Sequence, residues 1–223
     1  MKILEHKITV GNNDIFYYSP SGENTIYGGL SCLKEDKWNI SKIVFQTNDV
    51  VLDIGCNVGV LSIFLAATNP TIRVLSFDVN PIAVTCLKFG IIKNRLLNIE
   101  PFNFGISINN KQIHCFSNKT DITCSCVDGL QPNSHSTDFL SRLISIEEVF
   151  DSHVLKIEKV KYLKMDIEGG EFEIFYHLFE KRPDILDKIE YLHCEIHNFE
   201  DKNPDKLKSL LIEKFKNKVF FDA

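Results

Sequence analysis

The chain has 223 residues, 44% of them apolar, with a net charge of −5 at neutral pH and a pI near 5.8. That length suits one α/β domain with a core on both faces of a sheet. The acidic balance argues against a nucleic-acid partner, and no run of about 18 apolar residues is present to span a membrane.

In chain order, residues 7–10 and 15–18 alternate around Gly11-Asn12-Asn13-Asp14, the pattern of a hairpin. Tyr27-Gly28-Gly29 reads as a flexible turn, and residues 38–45 as a short helix leading to the first core strand. Residues 1–45 thus form either a lid over a ligand or a packed cap, and residues 46–223 the core of a single domain. An apolar strand at 50–54 runs through a glycine turn into a helix at 61–67. A second strand, 73–77, ends at Asp78. Asn80 then caps a helix with Pro81 in its first turn, running to about residue 94. Residues 99–104 make a third strand. Residues 106–140 carry short β-like pieces such as 112–116, then the polar stretch 131–138, and read as an irregular insertion.

Ser145-Ile146-Glu147-Glu148 has the spacing of a capping box at the start of a short helix. Residues 162–165 form a fourth strand ending at Asp166, and the Gly169-Gly170 turn feeds a helix from 171 to 180. A fifth strand, 189–196, ends near Glu195 and His197. A helix at 204–216 and a short strand at 219–221 follow. The lysines between Lys202 and Lys218 alternate with Asp201, Asp205 and Glu213, as on a solvated helix face. Strands alternating with helices predict a doubly wound, mostly parallel, Rossmann-like sheet.

The seven cysteines are odd in number, and the first residues lack the apolar stretch of a signal peptide; reduced thiols and a cytoplasmic location are expected. Cys124-Ser125-Cys126, near His114 and Cys115, does not have the spacing of a zinc knuckle, and no metal is assigned.

The strongest signal is the turn Asp53-Ile54-Gly55-Cys56-Asn57-Val58-Gly59. Glycines let a backbone turn sharply and approach a ligand. Asn57 tolerates positive φ, so the turn survives without a middle glycine. A carboxylate at the strand end suits a cationic or hydroxyl-rich ligand better than a pyrophosphate. S-adenosylmethionine (SAM) has an ammonium, a sulfonium and a ribose diol, and no phosphate. Asp78 lies where a carboxylate meets ribose hydroxyls in such folds. Four strand ends carry polar residues: Asp53, Asp78, Asp166, and Glu195 with His197. Ligands of open parallel sheets bind on that edge. Glu168 and Glu171 fit a capping role at a helix start. For Glu195 and His197, three readings stay open: a general-base site, a metal site shared with Asp166, or a hydrogen-bonded structural pair.

These residues resemble the FkbM-type SAM-dependent methyltransferases. The glycine turn is similar to the family's first signature, and Tyr162-Leu163-Lys164-Met165-Asp166-Ile167-Glu168-Gly169-Gly170-Glu171 to its second. Ser145-Ile146-Glu147-Glu148-Val149-Phe150 looks like the segment before it, and Glu195-Ile196-His197 like the one after. The resemblance implies a class I methyltransferase fold with SAM as methyl donor. It implies SAM contacts at Asp53, Gly55, Asn57, Gly59 and Asp78; the turn itself adds Cys56 and the helix start Asn80, and the polar strand ends, read by themselves, give a catalytic set of Asp166, His197 and Glu195. Cys56 stands where alanine is usual and Asp78 where glutamate is common. The usual fold ends in an antiparallel strand pair. Only one such strand is readable here, which suggests edge pairing or a homodimer.

The expected reaction is O-methylation of a hydroxyl on a small molecule or glycan, with His197 or Asp166 as base and Glu195 orienting it. The alternatives are N-methylation of an amide, such as a peptide side chain, and a non-catalytic SAM- or nucleotide-binding module. The glycine spacing disfavours a nicotinamide dehydrogenase.

Overall fold

The computed structural model describes residues 2–21, 24–118, 121–125, 136–199 and 201–221. Strands β1 (Ile3–Val10) and β2 (Asn13–Pro20) pair antiparallel across a tight turn in which Gly11 takes φ +60°. They are followed by α1 (Thr25–Lys34), β3 (Val50–Ile54), α2 (Val60–Thr68), β4 (Arg73–Phe77), α3 (Pro81–Asn94) and β5 (Ile99–Phe102). Next come β6 (Gly105–Ser107), β7 (Lys111–Asn118), β8 (Asp121–Ser125), β9 (Ser136–Ser145) and α4 (Ile146–Asp151). The chain continues through β10 (Val160–Met165), α5 (Glu171–Lys181), α6 (Pro183–Asp187), β11 (Ile189–Cys194), α7 (Pro204–Phe215) and β12 (Val219–Phe221).

Six strands form the central sheet in the order β12-β11-β10-β3-β4-β5, and every neighbouring pair is parallel. This is the doubly wound arrangement expected from the sequence. Chain order reverses between β3 and β10, which opens a crevice at the carboxyl ends of those two strands. The last strand, β12, pairs parallel with β11, so the antiparallel ending of the usual methyltransferase fold is absent among the described residues.

Alternation along the strands divides the core into two layers. Leu52, Ile54, Leu163 and Met165 face one layer, filled by Val149 and Phe150 of α4, Phe172 and Phe175 of α5, and Leu207 and Leu211 of α7. Val51 and Tyr162 face the other, filled by Leu61 and Ile63 of α2, Ala83 and Leu87 of α3, and the hairpin residues Ile15 and Tyr17. The central strands carry buried apolar residues on both faces because helices cover both. The hairpin is tied to α3: the Phe16 amide donates to Asn94 Oδ1 at 2.9 Å, and Asn94 Nδ2 donates to the Phe16 carbonyl at 2.7 Å.

Three local readings are corrected. Gly28 and Gly29 lie inside α1 and not in a turn. A Cβ on Gly29 would sit 3.0 Å from Val60 Cγ2, so the glycine lets α1 settle against α2, and packing overrides its low helix propensity. Residues 38–45 hold a single 3-10 turn, Ile40–Lys42, in place of a longer helix. The supposed irregular insertion contains a second sheet, in the order β6-β9-β7-β8, with β6 and β9 parallel and the other pairs antiparallel. Its pairing joins residues 111–118 to 136–143, a separation that local pattern does not reveal. Part of the polar stretch at 131–138, the Cys124 side chain and Cys126 lie outside the described residues.

Helix starts follow their sequence signals. Asn80 Oδ1 accepts from the amides of Ile82 and Ala83 at 2.9 and 3.4 Å. Ser145 Oγ accepts from the Glu148 amide at 3.1 Å. The return bond of a capping box is replaced by Asn110, whose Oδ1 accepts from the Ser145 amide at 2.7 Å.

Candidate active site

A buried polar row crosses the sheet at its switch point. In the strand register, His193, Lys164, Asp53 and Ser76 are successive cross-strand neighbours. They share a face because side chains alternate along a strand. Ser76 Oγ donates to Ser62 Oγ at 2.7 Å, and Ser62 Oγ donates to Asp53 Oδ2 at 2.5 Å. Asp53 is 1% exposed, and its second oxygen, Oδ1, accepts no hydrogen bond and lies 3.9 Å from Lys164 Nζ. Burial raises the Asp53 carboxyl above the usual range, and Lys164 and Ser62 oppose that. Lys164 Nζ donates to the Gly55 carbonyl at 2.8 Å and to Asp166 Oδ2 at 3.0 Å. Burial alone favours the neutral amine. The carboxylates of Asp166 and Asp53 outweigh it and hold Lys164 protonated, above the ordinary lysine range. Lys164 was not singled out from the sequence; its signal was a charged residue inside an apolar strand.

The turn after β3 depends on positive φ. Gly55 has φ +77°, and a Cβ there would lie 1.7 Å from the Asp166 carbonyl oxygen, so glycine allows the loops after β3 and β10 to meet. Asn57 has φ +50°, as its place in the turn requires. Gly59, with φ +79°, begins α2, and its Cβ would strike Leu87 Cδ1 at 2.4 Å. Asp78 braces the turn: Oδ2 accepts from the Asn57 amide at 2.7 Å and Oδ1 from the Asn80 amide at 2.8 Å. Burial pushes its carboxyl up to about 6, against the pull of these two amides.

Beyond β10 and β11, carboxylates surround one imidazole. His197 Nδ1 lies 3.3 Å from Glu171 Oε1; its Nε2 lies 3.2 Å from Glu168 Oε2, 3.7 Å from Glu195 Oε1 and 3.9 Å from Asp166 Oδ1. Glu171 is fully buried and accepts from the amides of Ile167 at 2.8 Å and Gly169 at 2.9 Å. It therefore organises the turn before α5 as well as the histidine. The contact with Glu171, followed by the charges of Glu168 and Asp166, pushes His197 up to about 9 despite its partial burial. That shift favours the protonated ring and weakens the reason for preferring His197 as a base. Asp166, Glu168 and His197 each offer a ligand atom within 4.8 Å of the others, a set that could hold a metal ion.

A cavity of about 810 Å³ joins these parts. That is within the range of roughly 300–1,000 Å³ for small-molecule sites. Asp53, Gly55, Cys56, Asn57 and Asp78 line it on one side, and Asp166, Glu168 and Glu195 on the other. Gly59, Asn80 and His197 are not among its lining residues. Asn80, expected at the ligand, instead spends its carboxamide oxygen on the α3 cap. Trp38 and Gly28 from the N-terminal segment and Tyr176 and Phe199 from the far side complete the enclosure. The N-terminal segment is therefore part of the cavity wall.

A family model for the methyltransferase FkbM domain matches residues 53–219. Among curated proteins, the ribosomal RNA small subunit methyltransferase C of Buchnera aphidicola subsp. Cinara cedri is 34% identical over 88 residues, covering 33% of this chain and 26% of the relative. The protein of the same name from Buchnera aphidicola subsp. Baizongia pistaciae is 28% identical over 167 residues, covering 67% and 47%. The Escherichia coli protein is 24% identical over 163 residues, covering 69% and 38%. The chain spans less than half the length of these relatives. Among solved structures, methyltransferase FkbM from Methylobacillus flagellatus KT aligns with a TM-score of 0.43 and 18% identity, covering 65% of this chain and 32% of that one. With three quarters of its length matched by the family model, the chain belongs to the methyltransferase FkbM domain family.

Proposed function

We propose that this protein is a SAM-dependent methyltransferase acting on a hydroxyl of a small molecule or glycan. The observation that carries the cofactor reading is Asp53, a buried carboxylate that lines the cavity and whose Oδ1 accepts no hydrogen bond. An ammonium group satisfies it without adding a negative charge beside Asp166 and Asp78. Asp78 keeps lone pairs beyond its two amide contacts and can accept from a ribose diol, a charge-assisted contact. The turn from Gly55 to Val58 lies along the cavity between them.

Bound SAM supplies an electrophilic methyl group on a sulfonium. The protein's task is to hold the acceptor oxygen in line with it and to take up the hydroxyl proton. Glu195 lines the cavity and is assigned as the proton acceptor. Lys164 fixes Asp166, and His197 positions the carboxylates around it.

A nucleic-acid acceptor is the second reading, favoured by the names of the curated relatives, which are ribosomal RNA methyltransferases. The cavity wall weighs against it: seven carboxylate residues line it against the three lysines Lys111, Lys164 and Lys202, and that excess would repel a phosphate backbone. The test is release of S-adenosylhomocysteine from SAM with glycans and small alcohols, with amide-bearing peptides and with structured RNA as acceptors. Turnover confined to hydroxyl acceptors is expected. Turnover confined to RNA or peptide overturns the acceptor assignment, and failure to bind SAM overturns the whole reading.

A further inference from the structure

We propose that Asp166, Glu168 and His197 form a binding site for one divalent transition-metal ion on the cavity wall after β10 and β11. The ligand atoms lie within 4.8 Å of one another, and His197 Nε2 is 3.2 Å from Glu168 Oε2 and 3.9 Å from Asp166 Oδ1. An ion at about 2.0–2.2 Å from each atom needs only side-chain adjustment.

A second feature points the same way. Metal-bound histidines typically donate their other ring N–H to a carboxylate, which fixes the ring and the tautomer. Glu171 stands in that place, 3.3 Å from His197 Nδ1, fully buried and held by the Ile167 and Gly169 amides. The imidazole is thereby turned with Nε2 toward the two carboxylates. Glu168 reaches this position from a backbone at φ +57°, so the turn that could simply have capped α5 presents its carboxylate to the histidine. Asp166 and Glu168 line the cavity, so an ion between them keeps coordination positions open to it. Two carboxylates with one imidazole suit manganese, iron(II) or zinc better than a soft-metal site. Oxygen atoms of the acceptor are the ligands such open positions would take. The use of the ion therefore rests on the methyltransferase reading, whereas its binding does not.

The test is titration of the metal-stripped full chain with Mn²⁺, without SAM, following free Mn²⁺ by electron paramagnetic resonance. One ion per chain is expected, with affinity reduced tenfold or more in Glu168→Gln and in His197→Ala. Glu171→Gln, a positioning variant, should keep the stoichiometry and weaken binding by about 10–100-fold. SAM affinity of the same samples is measured separately, so loss of SAM binding bears on the cofactor reading alone. If His197→Ala does not fold, the Glu168→Gln result decides. Absence of stoichiometric Mn²⁺ or Zn²⁺ binding at millimolar metal, or binding indifferent to Glu168→Gln, overturns the proposal.

Discussion

Lys164→Met tests whether the buried polar row is built around one cation. The substitution keeps most of the side-chain volume and removes the charge that faces Asp53 and Asp166. Asp53 is then left buried without its cation, and the Gly55 carbonyl loses its donor. Removing one partner of a buried ion pair costs about 3–5 kcal/mol. At about 2–4 °C per kcal/mol for a chain of this size, Tm should fall by roughly 6–20 °C. Losing Lys164 also raises further a carboxyl that burial already holds high. A raised carboxyl pKa favours the protonated folded state. The deficit should thus be smallest near pH 4, around the unfolded aspartate value of about 3.9, and grow toward neutrality. Circular-dichroism melts of the wild type, Lys164→Met, Asp53→Asn and the double variant at acidic and neutral pH give both readouts. The double variant should recover about 0.5–3 kcal/mol relative to the sum of the single effects. A Tm within about 3 °C of wild type at neutral pH, or the same deficit at both pH values, refutes the reasoning.

Four further outcomes are expected. Gly55→Ala places a Cβ against the Asp166 carbonyl and demands positive φ of an alanine, so its unfolding free energy should fall by more than the ~1–2 kcal/mol of the backbone strain alone, read as a lowered urea midpoint; an unchanged midpoint contradicts the close approach. With the Asp78 carboxyl near 6, SAM affinity should be level above about pH 7 and weaken about tenfold per pH unit below 6, as calorimetry across that range would show. In the metal-stripped chain His197 should titrate near pH 9 by NMR. Its raised folded pKa makes its contribution to stability complete below about 6.5 and lost as pH rises through 9, and His197→Gln should flatten that part of the stability profile. Glu195→Gln should lower the single-turnover rate by about 10²–10⁴-fold with SAM affinity unchanged, and a wild-type rate removes it as the base.

The parts legible in the sequence were those written by local pattern. Apolar runs ending in Asp53, Asp78 and Asp166 marked the strands and their functional edge, because a parallel strand covered on both faces is apolar until it reaches the crevice. Asn80-Pro81 marked the start of α3 in the same local way. Lys164 was hidden because its meaning lies in partners on β3 and in the loops, and a lone lysine in an apolar run announces none of them. Glu171 looked like a helix-start acid. It does satisfy two turn amides, but its burial and its contact with His197 depend on a residue 26 positions away. Glu168 presented the same ambiguity, since only the fold brings it to the histidine. The second sheet was lost for a related reason: β6 and β7 both pair with the distant β9, and register across such a separation leaves no periodic trace.

The most direct test of the central claim is isothermal titration of SAM into the wild type and Asp78→Ala. The account predicts one SAM per wild-type chain and a loss of about 1.5–3 kcal/mol of binding in a folded Asp78→Ala protein, the scale of hydrogen bonds to a charged group. Equal affinity in the two proteins, or no SAM binding by the wild type, would contradict it.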